Sequence, residues 1–227
     1  MASWAELEAE RPDLIEKQFE RLNPDVQRTM EAASVAGVDF ATAAVAAVTD
    51  SDVLKLEELC ADLARRFHFL QPGVGCELPS GEVTTRHAFT HALYQDVLYR
   101  RVGAARRAKL HQAIGEWMET AYGDGAVAVA AELAMHFEQA RDYQRAARYL
   151  QQAAENAIVR CANREAFALA TRAIELVRKL PQSAERNRQE LHLQITLGIA
   201  QIAVRGYATP IAGEIFQYAR ELCRPFG

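Results

Sequence analysis

His87 and His91 stand four residues apart, a spacing that puts two imidazoles on one face of a helix and can hold zinc. Their surroundings argue against that use. Val83 and Thr85 alternate as in a strand, and strand character runs to about Phe89, so His87 belongs to a strand. The period then changes to four: Phe89, Leu93, Val97 and Arg101 align, with Tyr94 and Leu98 beside them. His91 lies just past this joint between strand and helix. No third ligand is near and HExxH is absent, so no metal is expected. A second chemistry is open to His91. A histidine at a helix N-terminus offers a ring N–H beside the positive end of the helix dipole, which suits an anion. The competing role is a structural histidine capping the joint.

Arg86, Arg100, Arg101, Arg106, Arg107 and Lys109 face only one acid, Asp96, over residues 86–109. Such an excess could meet phosphate, or it could form a solvated face or meet an acidic neighbouring domain. The preceding helix, Asp52 to Arg66, carries Lys55, Glu57, Glu58 and Asp62 outward, and those acids would face DNA badly. No local Ser/His/Asp or Cys/His set is present, and Glu57-Glu58 read as plain helix surface. The phosphate loop GxxxxGK[ST] is absent, so the chain is not expected to hydrolyse ATP alone or to be an enzyme.

The totals point the same way. Half of the 227 residues are hydrophobic and Gly and Pro are sparse, which favours helices and supplies a core. The net charge of −4 argues against a dedicated nucleic-acid binder. Cys60, Cys76, Cys161 and Cys223 show no CxxC pairing and read as reduced thiols of a cytoplasmic protein. No apolar run is long enough to span a bilayer and no signal peptide is recognised, so no membrane partner is expected.

The elements that position these residues can be read in order. Leu14, Ile15, Gln18, Phe19 and Leu22 mark a short amphipathic helix after Pro12. Asn23-Pro24 opens a second helix that Gly37 closes. Ala41 to Val48 is a third, apolar nearly all round and therefore buried. Asp50 or Ser51 caps a fourth, with Leu56, Leu59, Cys60, Leu63, Ala64 and Phe67 as its stripe. Phe67, Phe69 and Pro72 suggest an outgoing strand, residues 73–81 a long turn, and Glu82 to Phe89 the returning strand. Helices followed by such a hairpin resemble a winged helix; an irregular α+β cap is the alternative.

After Gly103 helix follows helix, with short breaks at Arg141-Asp142, Cys161 to Asn163 and Leu180 to Ser183, so neighbours should be antiparallel. Ala130, Leu133, Ala134, Phe137, Tyr143, Ala146, Leu150 and Ala153 resemble a tetratricopeptide repeat. Residues 150–181, closed by Pro181, match less fully. A third segment starts at Leu197-Gly198 and runs over Gly206-Tyr207 to Ala219, with its turn stretched by about two residues. An ordinary helical bundle is the competing architecture. Tyr149, Gln152, Asn156 and Arg160 are candidate groove residues for a protein or peptide, or else solvated polar positions.

The whole chain then resembles the region that follows the nucleotide-binding core in STAND-class signalling ATPases, the bacterial regulators related to the maltose-regulon activator. The residues that carry this are Asp13 to Leu22, Glu31 to Gly37, Phe89-Thr90-His91-Ala92-Leu93, Leu133 to Phe137 with Arg145 to Leu150, and Arg205-Gly206-Tyr207. The resemblance implies a mainly α chain. A winged-helix domain with a small β-hairpin would occupy residues 1–101, and an α-α superhelix of repeats residues 102–227. It further implies that His91 senses ADP phosphate bound by the absent ATPase core, although Thr90 and Ala92 stand where the family's Met-His-Asp motif has Met and Asp. ATP or ADP would then be a cofactor of the parent protein and not of this segment, and the partners would be the ATPase domain and an inducer or protein on the repeats. Both termini lack caps, so a longer parent is expected. A winged-helix DNA-binding transcription factor is the alternative function.

Overall fold

The computed structural model describes residues 14–206 and 210–223. The readings made around Pro12, Asp13, Tyr207 and the last four residues lie outside them. The described chain is mainly helical with one small three-stranded antiparallel sheet. It divides into two compact units, Met1–Gly123 and Asp124–Gly227.

Among the described residues the first unit begins with helix α1 (14–20), which buries Ile15 and Phe19. Helix α2 (Pro24–Ala36) begins as its sequence dictates: the Asn23 side chain accepts from the Asp25 N–H at 2.9 Å, and Pro24 has no N–H that would need an acceptor. Gly37 ends it at φ 145°, a conformation that side-chain-bearing residues rarely adopt. Strand β1 (Asp39–Ala41) leads straight into helix α3 (Thr42–Thr49). The start of α3 is held from outside: its Ala43 N–H donates to Thr84 Oγ1 at 3.1 Å, and Thr42 Oγ1 donates to the Thr85 carbonyl at 2.9 Å.

Helix α4 (Val53–Asp62) is capped by Asp52, whose carboxylate accepts from the Lys55 N–H at 3.0 Å. Asp50 and Ser51, the expected caps, are not used. Asp50 sits at φ 51° as the left-handed stop of α3, which moves the next start two residues on. A π turn (Leu63–Phe67) follows and widens the helix, and Phe67 swings off the stripe it was expected to join and is exposed.

Strands β2 (Val74–Glu77) and β3 (Val83–Ala88) complete a sheet in the order β1-β3-β2. The outgoing strand is therefore 74–77, later than the 67–72 stretch; Leu70 makes only an isolated bridge to Phe89. The strand starts beside Gly73, where a Cβ would stand 2.4 Å from Thr85 Cγ2 and 2.5 Å from His87 Cε1. Helix α5 (Ala92–Arg101) confirms the joint at residues 89–91, pinned by Thr90 Oγ1 donating to the His68 carbonyl at 2.7 Å. Helix α6 (Ala104–Tyr122) buries Leu110, Ile114 and Met118 and packs on α2 and α3. The division between units accordingly falls after Gly123 instead of after Arg101.

A 3-10 segment (Gly123–Val129) spans the division, and the second unit continues as α7 (Ala130–Gln139), α8 (Tyr143–Val159), α9 (Asn163–Val177), α10 (Ala184–Arg205) and α11 (Pro210–Cys223). Each of these helices packs on its neighbour in sequence. Ala146, Ala147, Ala154, Ala157, Ala166, Ala170 and Ala173 are fully buried, so the backbones approach closely while Leu133, Phe137 and Leu176 fill the space between them.

Two turns share one hydrogen-bond pattern. Asp142 N donates to Phe137 O and Arg141 N to Glu138 O; twenty residues on, Ala162 N donates to Ala157 O and Cys161 N to Ile158 O. Both are left-handed helix stops built without glycine, at φ 66° and 59°. In the third repeat segment Leu197-Gly198 lies within the 22-residue helix α10, which ends at Arg205 with Gly206 after it, and α11 follows from Pro210. Gly198 has a packing role: a Cβ there would stand 2.5 Å from Phe216 Cζ of α11.

Candidate functional site

His91 is the residue before α5, with extended backbone at φ −138° and ψ 142° and no capping hydrogen bond from its side chain. Its ring is exposed and stacks on Tyr94, centroid to centroid 6.4 Å and 23° between planes. It stands at the edge of a hollow of about 630 Å³, walled by Leu14, Ile15 and Gln18 of α1 and by Leu93 and Tyr94 of α5. His87 points elsewhere. It is 3% exposed, stacked on Phe40 at 6.2 Å, with Nδ1 3.4 Å from the Gln71 carbonyl. Burial lowers its pKa below the ordinary histidine value, and the ring stays neutral at pH 7. Among the described residues no group of three or more His, Cys, Asp or Glu could hold a metal ion.

The five arginines of the basic run at 86–109 are engaged within their own unit. Arg86 pairs with Asp39 at 2.8 Å, Arg100 with Asp96 at 2.8 Å, and Arg101 with Glu20 at 3.4 Å, while Arg106 pairs with Glu31. The Arg107 guanidinium lies 4.6 Å over the Tyr99 ring and donates to the Tyr99 carbonyl at 3.2 Å. Tyr99 also meets His111 of α6, hydroxyl to Nε2 at 3.1 Å. His111 is 2% exposed, and burial first, then the Arg107 charge, pushes its pKa down to about 4. The four cysteines are free thiols. Cys60 is buried, and its thiol is pushed up to about 12 by burial and then by Glu57, which makes it a poor nucleophile.

The four residues proposed for a groove run along α8 but do not share one site. Tyr149 stacks on Phe137 of α7, 5.7 Å and 9° between planes. Gln152 donates weakly to Asn156 at 3.5 Å. Asn156 donates to the Val127 carbonyl at 2.7 Å, and Arg160 pairs with Glu165 at 3.3 Å. Asn156 and Arg160 border a shallow hollow of about 510 Å³ beside Val127 and Ala131. Of the four, Asn156 and Arg160 come together there, whereas Tyr149 serves the helix contact.

A hollow that sequence reasoning missed lies between the first turns of α8 and α10. It measures about 560 Å³ and is bordered by Arg145 and Arg148 from α8 and by Arg188 and His192 from α10. Gln144, Gln151 and Gln189 fill the gaps, and Asp142 and Glu185 supply the acids. A signal was present: Gln144, Arg148 and Gln151 are spaced i, i+4, i+7, and Glu185, Arg188 and His192 are spaced i, i+3, i+7. Beside it, the buried Glu190 fastens three helices. Its carboxylate accepts from Arg178 Nε at 2.9 Å and from the Tyr218 hydroxyl at 3.2 Å, and it pairs with Arg186 at 3.7 Å.

Compared with protein-family models, with characterised proteins and with solved structures, the chain matches none. Among the described residues no helix is long and apolar enough to cross a membrane.

Proposed function

We propose that this chain is a non-catalytic relay and sensor segment of a cytoplasmic STAND-type signalling or transcription regulator. Its first unit acts as a winged helix that reads the nucleotide state of an ATPase module. Its second unit is a tetratricopeptide-like array that receives an inducer or partner protein. The observation that carries the reading is the run from α2 to β3 in the first unit, helix-strand-helix-helix-strand-strand with sheet order β1-β3-β2, together with the antiparallel, alanine-lined helices of the second unit. The position of His91 supports its part in the relay: an exposed ring at the first turn of α5, beside a hollow and free of any capping duty.

A DNA-binding role is less well supported. In the winged-helix reading α4 would face the duplex, yet Glu58 is exposed on it, and Arg65 and Arg66 both pair with Asp62. The test of the sensor role is ADP titration onto the polypeptide that joins this segment to a nucleotide-binding module. His91→Ala is expected to weaken ADP about tenfold, the loss of one hydrogen bond to a charged group. Unchanged ADP affinity would remove His91 from the mechanism.

A further inference from the structure

The end of α4 has two registers open to it. Leu56, Cys60, Leu63 and Phe67 are spaced i, i+4, i+7 and i+11, so an unbroken α-helix sets all of them on one face. The first three are 3%, 1% and 1% exposed, whereas Phe67 is 48% exposed. The π turn Leu63–Phe67 makes the difference, because its wider winding rotates the side chains that follow away from the α stripe. The turn stops at His68, a residue with a β-carbon held in the left-handed region at φ 54°. The exposed phenylalanine and the left-handed histidine both disfavour this arrangement, so contacts from outside the helix must hold it.

Those contacts come from the joint ahead of α5. Thr90 Oγ1 donates to the His68 carbonyl at 2.7 Å, and the Thr90 N–H donates to the Phe69 carbonyl at 3.0 Å. The Phe69 ring meets Tyr94 edge-on at 5.2 Å, and Phe67 stacks on Phe69 at 6.3 Å. Tyr94 in turn stacks with His91, so a continuous run of rings leads from Phe67 to His91.

We infer that the end of α4 is a two-state element set by this joint. With Thr90 and Tyr94 in place, the π turn presents Phe67 to solvent. When they withdraw, the helix returns to the α register and Phe67 joins Leu56, Cys60 and Leu63. A half-exposed aromatic and a left-handed residue stand against two hydrogen bonds and an edge-on ring pair, terms of similar size, so a modest change at the joint moves the balance. As a means of regulation this rests on the relay reading of His91: an anion that draws the ring off Tyr94 is reported at the surface by the loss of an exposed aromatic side chain.

The test replaces Phe67 in the full chain with trifluoromethyl-phenylalanine and follows its fluorine resonance, whose shift between light and heavy water reports exposure. The otherwise unchanged chain should show a dominant exposed resonance. Thr90→Val keeps the side-chain shape and deletes one donor, and should move the population about fivefold toward a protected resonance, the value of one hydrogen bond. Tyr94→Leu should act in the same direction. Both residues are partly exposed, and thermal melting of each variant establishes that it is folded. His68→Gly removes the left-handed penalty and should restore part of the exposed population in either background. An unchanged exposed resonance in the folded variants, or a protected one that His68→Gly does not reverse, would overturn the inference. No nucleotide enters the assay, so its failure leaves the relay reading to its own test, and unchanged ADP affinity in His91→Ala leaves this element standing.

Discussion

Protonating His111 should destabilise the first unit, and the size of the effect can be worked from its surroundings. The ring is buried between α5 and α6, and its Nε2 is positioned to accept from the Tyr99 hydroxyl. Protonation removes that acceptor and places a second cation beside Arg107, which lies over the same tyrosine. The folded pKa is held at about 4, against 6.5 in the unfolded chain. The unfolded state therefore binds the proton first. The contribution is fully present above about pH 6.5 and is lost as pH falls toward 4. Between pH 7.5 and 4.5 the linkage gives about 2.5 kcal/mol from this one residue. His87, also lowered by burial, acts in the same direction. The assay is urea unfolding at the two pH values for the wild type and for His111→Phe. The variant should be weaker at pH 7.5 by about 1 kcal/mol, the value of the lost hydrogen bond. Its further loss on acidification should be about 2.5 kcal/mol smaller than that of the wild type. Equal acid sensitivity in both proteins would refute the assignment.

Two substitutions probe the packing of each unit. Gly73→Ala forces a methyl group against Thr85 and the buried His87 ring and should cost about 1–3 kcal/mol, whereas Gly75→Ala, which meets nothing within 4 Å, should cost far less; equal effects in denaturant melts would contradict the close approach of β2 and β3. Glu190→Ala removes the carboxylate shared by Arg178, Arg186 and Tyr218 and should destabilise the second unit by about 2–3 kcal/mol; a neutral outcome by calorimetry would mean that this junction does not hold α11 in place.

Local signals carried well from sequence to structure, and long-range ones did not. The start of α2 was legible because Asn23 and Pro24 each solve a problem of that helix end without outside help. The joint into α5 was legible because the side-chain period changes at the joint itself. Strand β1 was hidden: three residues are too few to show an alternation, and their apolar members continue into the buried helix α3. Strand β2 was hidden behind glycines that read as a turn, although Gly73 is small to admit a neighbour and not to bend the chain. The basic run at 86–109 appeared uncompensated since three of its acids come from 47, 75 and 81 residues away. The arginine-lined hollow was missed for a related reason. Each helix alone shows an ordinary polar face, and only the parallel placement of α8 and α10 across α9 brings the cations together.

A relay must distinguish the two states it reports, because a ligand with equal affinity for both shifts nothing. The most direct measurement is calorimetric titration of this chain into the nucleotide-binding module that the proposal requires, once loaded with ADP and once with a non-hydrolysable ATP analogue. The account predicts that the ADP-loaded module binds the chain at least about tenfold more tightly, and that His91→Ala removes most of this difference. Equal affinity for the two loaded forms, or no binding to either, would contradict it.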